Sequence, residues 1–375
     1  MKSSLPKLII DSSELCSDLR YATKFQVGDP VIFLLEGRHS TMLLSDLEID
    51  RGKREATASE IVSLSAFNRK HERKLGKTPT LGDTAIAFLK ARKVRRAEVP
   101  PTFPLALANQ LGAAGIKLEP VPGLLFPERQ IKTAEELKHM GRALRITEAG
   151  LNRGIEIIAA SKIGKGRKLT WGGAPLTSER LRAEIDSTIL HHGGLPMNTI
   201  VAGGDQGCDP HERGHGPLRA NETIVIDVFP RDARSGFFGD LTRTVVRGRA
   251  TDTQRKLYAM VERGQRMGIV GLKTGADGAK LLADVREFFT REGYPTKQNA
   301  RGKWTGFFHG LGHGLGLDIH EIPRMQAGRL KTGQVFTVEP GLYYPGVGGV
   351  RIEDVCVVSP RGGRVLSKME NRLEV

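Results

Sequence analysis

The stretch His309-Gly-Leu-Gly-His313-Gly-Leu-Gly-Leu-Asp-Ile-His320-Glu321 decides how the rest of the chain is read. It places three of the chain's ten histidines within twelve positions, with glycine in every second place from Gly310 to Gly316. Each such glycine would cost a helix roughly 1 kcal/mol relative to alanine, so the segment is expected to be a loop that runs into a strand. Glycines also let a backbone come close to whatever occupies a pocket. Imidazoles on so open a backbone point to metal ligation or proton transfer rather than to packing. An ordinary turn would tolerate the same composition, and the acidic residues on either side decide between the two.

Four carboxylates stand within or at the ends of runs that otherwise read as strands. Asp227 lies in Glu222-Thr-Ile-Val-Ile-Asp-Val-Phe229, and Asp240 sits at the start of Gly239-Asp-Leu-Thr-Arg-Thr-Val-Val246. Glu339 ends Gln334-Val-Phe-Thr-Val-Glu339, and Glu353 lies inside Gly349-Val-Arg-Ile-Glu-Asp-Val-Cys-Val-Val358. An unpaired buried carboxylate is costly, so several on one sheet require a shared cation. With His313 they form a set of four carboxylates and one imidazole. Such a set suits two divalent ions bridged by carboxylates, as in two-metal hydrolases.

Upstream of this set the chain reads as a separate, smaller α/β unit. Pro30-Val-Ile-Phe-Leu-Leu35 and Ser40-Thr-Met-Leu-Leu44 are expected strands, joined by a tight turn at Gly37-Arg-His39 into a hairpin. Residues 56–75, 81–93 and 104–112 read as helical. The run Pro120-Val-Pro-Gly-Leu-Leu-Phe-Pro127 carries three prolines and a glycine, so a boundary is expected near its end, dividing the chain into domains 1–126 and 127–375. Beyond it, Thr133-Ala-Glu-Glu136 matches a capping box that opens a long amphipathic helix to about residue 160. Ser161 to Gly173 reads as a loop, a helix opened by Ser178 is expected to run to about residue 190, and two more helices cover 251–272 and 276–292.

At 375 residues, with 39% hydrophobic and 26% charged residues, the composition is that of a soluble globular protein of about two domains. No apolar run approaches the roughly 20 residues of a membrane span. The N-terminus lacks the apolar core of a signal peptide. Cys16, Cys208 and Cys356 are widely spaced and odd in number, which fits a reducing cytoplasm and excludes a disulfide framework. The formal net charge of +15 is partly concentrated, since residues 51–100 hold thirteen Lys/Arg against five Asp/Glu. Nucleic acid or an acidic surface is one partner for such charge. No aromatics interleave with the basic residues as a stacking platform requires, so a solvated helix face is the simpler account. His39 and His71 stand apart from any cluster and are expected on the surface.

Taken in order, Asp227, Gly239-Asp240-Leu-Thr-Arg-Thr244, His309-Gly-Leu-Gly-His313, His320-Glu321-Ile-Pro323, Thr337-Val-Glu339-Pro-Gly-Leu-Tyr343 and Val350-Arg-Ile-Glu353-Asp354 resemble the metallopeptidases with the pita-bread fold, peptidase family M24. That family includes methionine aminopeptidase, Xaa-Pro aminopeptidase, prolidase and creatinase. The likeness covers roughly residues 130–370. It implies an α/β (α+β) chain with a C-terminal pita-bread domain and a smaller creatinase-like N-terminal domain. The separate N-terminal unit and the stretch Gly346-Val-Gly-Gly-Val-Arg351 resemble the Xaa-Pro and creatinase branch.

On that resemblance, Asp227, Asp240, His313, Glu339 and Glu353 would ligate two divalent ions, manganese first, with cobalt, zinc or iron as alternatives. The expected reaction is hydrolysis of the bond before proline by a metal-bridged hydroxide. Glu339 would move a proton from the water to the leaving nitrogen, while His320 and His211 would serve the tetrahedral intermediate. His211 follows Ile200-Val-Ala-Gly-Gly204 and Pro210, a segment similar to the one that carries the branch's substrate-side histidine, and His215 is the second candidate for that role. Arg351 would hold a metal-bound carboxylate in place. His309 faces the substrate's C-terminal side or merely stabilises its loop. Cys208 is read as an inert residue of the pocket wall. The expected partners are peptides with proline in second position and a second copy of the chain.

Several positions depart from the family pattern. Asp227 and Asp240 are thirteen apart, two more than usual, but an even insertion in a hairpin preserves which face each carboxylate takes. Gly239 stands where the family usually has serine, and Gly203 and Gln206 also depart from the common pattern. Two other functions compete: a catalytically silent pita-bread module that binds partners through its basic charge, and a creatinase-like hydrolase of a small amidine. The complete ligand set argues against both.

Overall fold

The computed structural model describes residues 5–75, 79–300, 302–325 and 328–375, and the side chains of all of these but 71–75. The chain divides into two compact units, Met1–Arg129 and Gln130–Val375. The division falls inside the single turn of 3-10 helix at Pro127–Gln130. The Asp18 carboxylate holds the residues before the cut to the first unit, accepting from Leu125 N at 3.1 Å and from Arg129 Nη1 at 2.8 Å.

In the first unit β1 (Lys7–Asp11), α1 (Ser17–Thr23), β2 (Val31–Glu36), β3 (His39–Leu44), α2 (Ile49–Glu55), β4 (Glu60–Ser63), α3 (Leu64–Leu75), α4 (Leu81–Ala91), β5 (Arg96–Val99), α5 (Leu105–Ala113) and β6 (Lys117–Pro120) follow one another. The sheet order is β4-β3-β2-β1-β5-β6. The strands β1 to β3 are antiparallel, and the outer strands join in parallel. Both faces of the sheet are covered, which is why Val31 to Leu35 is apolar throughout rather than alternating. Ile10, Ile32 and Leu34 enter one core, and Ile9, Val31 and Phe33 the other. The hairpin turn is as tight as expected: Glu36 pairs with His39, and Gly37 has φ of 62°.

Residues 56–75 do not form one helix. The strand β4 intervenes and pairs with the edge strand β3, where Thr41 Oγ1 donates to the Glu60 carboxylate at 3.1 Å. Edge pairing of this kind overrides the helical periodicity that the sequence shows. The basic stretch at 69–96 is partly neutralised within its own unit, Arg92 by Glu36 and Arg96 by Glu119. His39 is half-exposed beside Glu60, and the side chain of His71 lies outside the described residues.

The second unit opens with α6 (Ala134–Ala160). Its capping box is present: Thr133 Oγ1 accepts from Glu136 N at 3.2 Å, and the Glu136 carboxylate accepts from Thr133 N at 2.8 Å. The helix α7 (Ser178–His191) is capped by Thr177 rather than Ser178, since Thr177 Oγ1 accepts from Arg180 N at 3.3 Å. A cap must precede the first helical residue. Then come β7 (Ile200–Gly203), β8 (Thr223–Val228), β9 (Leu241–Val246), α8 (Asp252–Gly271), α9 (Gly278–Arg291), β10 (Val335–Val338), β11 (Gly341–Tyr344), β12 (Gly348–Arg351), β13 (Asp354–Ser359) and β14 (Gly362–Val365).

Two antiparallel sheets, β7-β8-β9 and β10-β13-β14, and the hairpin β11-β12 frame the site. Cross-links tie them together. Thr244 Oγ1 donates to Arg351 O at 2.9 Å and accepts from Arg351 N at 3.0 Å, and Glu353 N donates to Thr242 O at 3.1 Å. Behind them α8 and α9 close a core that includes Val261, Phe289, Phe307, Phe336 and Val338. Residues 349–358, expected as one strand, break at Ile352-Glu353 into β12 and β13, and the break points the Glu353 amide at the neighbouring sheet. The 309–321 segment does not run into a strand either; Gly314 makes isolated bridges to Glu321 within the segment and to Phe336 outside it. Its path lies so close to β10 that a Cβ at Gly312 would collide with the Thr337 carbonyl. Among the described residues no helix is long and apolar enough to cross a membrane.

Candidate active site

The strand β8 carries Asp227 opposite Thr242 of β9, so Asp240, two residues before Thr242, returns to the same face. Residues 229–240, which include Asp240, lie outside the β8–β9 ladder. Gly239 has no room for serine, because a Cβ there would collide with Thr147 Oγ1 and stand 2.7 Å from the Ala143 carbonyl. The long helix α6 packs against the strand's entry at this point.

The sheets converge on a small group of acids. Ligand atoms of Asp240, His313 and Glu353 all lie within 4.8 Å of one another. His313 Nε2 stands 3.5 Å from Asp240 Oδ2 and 3.4 Å from Glu339 Oε1. Thr337 Oγ1 donates to Glu339 at 3.1 Å, and Thr242 Oγ1 donates to Glu353 at 2.7 Å. Asp227 is gripped from one side by Arg351 Nη2 at 2.8 Å, while its buried Oδ1 has no hydrogen-bond partner among the described residues. Arg351 itself is buried and also donates to Thr242 Oγ1 at 3.3 Å and to the Tyr343 hydroxyl at 3.2 Å.

The electrostatics follow from the crowding. Burial, then the charges of Glu353, Asp227 and Glu339, hold the Asp240 carboxyl well above its ordinary range. Burial and the charges of Glu339 and Asp227 do the same to Glu353. Glu339 is pushed up to about 7 by burial, opposed by Arg351 and reinforced by Asp227. Carboxylates placed this way cannot all ionise in a dry pocket unless a cation joins them. The unsatisfied Asp227 oxygen and the single imidazole in an oxygen-rich set fit a divalent metal. Burial also holds His313 and His320 below the ordinary imidazole range, with the Arg324 charge acting in the same direction.

The remaining histidines separate by place. The His320 ring stands edge-on to that of His313, centroids 4.5 Å apart. His211 is exposed, near enough to Glu339, His309 and His320 to act on them electrostatically. His215 is exposed beside Glu212 at 3.7 Å. His309 is tied down at both ring nitrogens, Nδ1 to Gly310 O and Nε2 to the Tyr343 hydroxyl, each at 2.8 Å. A carbonyl only accepts, and a guanidinium only donates. The ring therefore donates from Nδ1, and the Tyr343 hydroxyl donates to Nε2 while accepting from Arg351. Burial, then Arg351, pushes the ring down to about 3, consistent with that neutral form. Cys208 lies against the backbone of the β11-β12 hairpin at Tyr344 and Gly348, where burial pushes its thiol up to about 12.

Three participants had no role in the sequence reading. Thr242 orients Glu353, Tyr343 links His309 to Arg351, and Arg324 brings a cation to the two pocket histidines. Thr242 and Tyr343 had a signal, since each follows a candidate ligand at strand or near-strand spacing. Arg324 had none beyond its distance from His320.

The pattern of metallopeptidase family M24 matches residues 138–360, and the chain belongs to that family. It is a metallopeptidase. It is 26% identical to the Xaa-Pro dipeptidase of Pyrococcus furiosus over the full length of both chains. It is 31% identical over 257 residues to the Xaa-Pro dipeptidase of Lactobacillus helveticus, covering 66% of this chain and 62% of that relative. Among solved structures, the X-Pro aminopeptidase of Thermotoga maritima superimposes with a TM-score of 0.82 at 23% identity, over 99% of this chain and 97% of that one. The prolidase of Pyrococcus horikoshii does so with a TM-score of 0.78 at 24% identity, over 98% and 95%. The α/β pita-bread architecture expected from the motifs is the fold these structures share.

Proposed function

We propose that this metallopeptidase is a two-metal exopeptidase that hydrolyses the bond before proline. The observation that carries the reading is the group of buried Asp227, Asp240 and Glu353 with half-buried His313 and Glu339, whose carboxylates repel one another and leave one Asp227 oxygen without a partner among the described residues. The preference for proline is supported by relatives that bear the name Xaa-Pro dipeptidase along the whole chain. Two divalent cations in this pocket would acidify an attacking water and polarise the scissile carbonyl. Manganese is the first metal to load, with cobalt, zinc and iron to follow. A homodimer in a reducing cytoplasm belongs to the same reading.

The chain's own groups have distinct tasks. In the metal-loaded protein Glu339 would take the proton from the attacking water and deliver it to the leaving nitrogen. The neutral His320 ring donates to the oxygen on which charge develops, and His211 does so from the substrate side. Arg351 fixes one oxygen of Asp227 and would leave the other for a metal ion. The His309–Tyr343 pair forms a rigid wall beside Arg351. Arg324, whose charge acts on both pocket histidines, would in this reading meet a carboxylate at the end of a short substrate.

The deciding experiment is a substrate-length series, Xaa-Pro against Xaa-Pro-Xaa, with each metal loaded in turn. Turnover of Ala-Pro that vanishes in chelator and in Asp240→Ala supports the reading. Metal-loaded protein that leaves every proline-containing substrate intact overturns it.

A further inference from the structure

We propose that Lys132 is a positioning residue for His320, acting through Glu321 from 189 positions away. The inference rests on the peptidase reading above only for its activity arm.

Lys132 Nζ donates to Glu321 Oε1 at 3.0 Å, and both side chains are buried, 3% and 1% exposed. The second carboxylate oxygen accepts from Asp318 N at 3.4 Å, and Glu321 N donates to Gly314 O at 2.8 Å. Glu321 therefore pins the loop 314–321 at both ends. The lysine projects from a fixed point. Its own N donates to Gly333 O at 2.9 Å, and the capping box of α6 begins at the next residue. The clamp fits closely, since a Cβ at Gly316 would stand 2.8 Å from Lys132 Nζ and collide with Glu321 Oε2. The same loop reaches the metal ligands, because Gly316 O accepts from Phe238 N at 2.9 Å, two residues before Asp240.

A fully buried ion pair is a poor stabiliser, because desolvation offsets most of the attraction and an apolar pair often does as well. It is well suited to fixing geometry in a segment with no sheet ladder of its own. Here that segment is glycine-rich, and His320 is its last residue before the pin. Without the clamp the ring that packs against His313 would be free to drift. A misplacement near 1 Å is enough to reduce turnover about 100-fold.

The test compares Lys132→Met, His320→Ala, the two combined, and Lys132→Met/Glu321→Met, all with bound metal quantified. Lys132→Met is expected to lower kcat by roughly 10- to 100-fold with little change in KM or metal content. In the His320→Ala background the same change should cost less than about threefold, because the two act through one group. The Lys132→Met/Glu321→Met pair should recover the thermal midpoint but not kcat. Independently of catalysis, the His320 imidazole NMR signals, assigned against His320→Ala, should shift in Lys132→Met and not in the surface control Lys256→Met. Full additivity with His320→Ala, recovery of kcat along with the midpoint, or unmoved His320 signals would each overturn the clamp. If His320→Ala alone leaves kcat intact while the NMR signals move, the clamp stands and the role given to His320 in hydrolysis fails.

Discussion

Glu339→Gln should make the metal-free protein more stable and the metal-loaded protein comparatively less so. The Glu339 carboxyl is raised from 4.5 to about 7, by burial, against Arg351 and with Asp227. An acid whose folded-state value is raised costs nothing below its unfolded value and destabilises increasingly as pH climbs through the folded one. At pH 8 that cost is about 3 kcal/mol, at 1.36 kcal/mol per unit. The amide removes the charge yet keeps an oxygen for Thr337, which donates to Oε1 at 3.1 Å. In chelator at pH 8 the variant should therefore melt roughly 6–12 °C above the wild type, for a unit of this size. At pH 4.5 the two should nearly coincide. Added manganese should close most of that gap, because the wild type gains about 3 kcal/mol at a hundredfold excess over Kd and the variant has lost a ligand. Differential scanning fluorimetry at both pH values, with chelator and with metal, reads all four states. A variant no more stable than the wild type at pH 8 in chelator, or one that gains equally from metal, refutes the reasoning.

Three further outcomes follow from the site. Arg351→Met frees Asp227 and leaves Tyr343 with one partner fewer, so metal affinity measured by titration calorimetry should fall about 10- to 100-fold. His211→Gln should lower kcat by about 100-fold or more while metal content holds, whereas His215→Gln, facing solvent, should leave kcat within about twofold of wild type; steady-state assays on Ala-Pro compare them. Arg324→Gln should raise KM for Ala-Pro about tenfold and leave its C-terminal amide unaffected, since a lost charged hydrogen bond is worth about 1.5–3 kcal/mol; equal effects on both substrates would remove Arg324 from the carboxylate site.

Much of the site was legible because its residues violate local expectation. Asp227 interrupts an apolar run, and Asp240, Glu339 and Glu353 stand where strand residues are otherwise apolar; a carboxylate in such a place needs a reason. The glycines of 309–316 likewise exclude a helix on local grounds. Reading failed where a local signal was weak or misleading. The strand β4 hides in residues with helical periodicity, because its existence depends on the free edge of β3. The cap of α7 shifted by one residue between two adjacent hydroxyls, Thr177 and Ser178, which composition cannot separate.

By itself, then, the order of residue types along the chain marked the candidate ligands and most of the strands that bear them, since a charged side chain's demand for a partner travels with the residue. Only the tertiary structure decided who meets whom. Among 57 lysines and arginines, nothing local distinguishes Arg324 beside the histidines or Lys132 on Glu321, and the motif that singled out Arg351 did not say that Asp227 is the carboxylate it holds. Each acquires its role from desolvation and distance, and both are properties of the folded packing around the charge rather than of its neighbours in sequence.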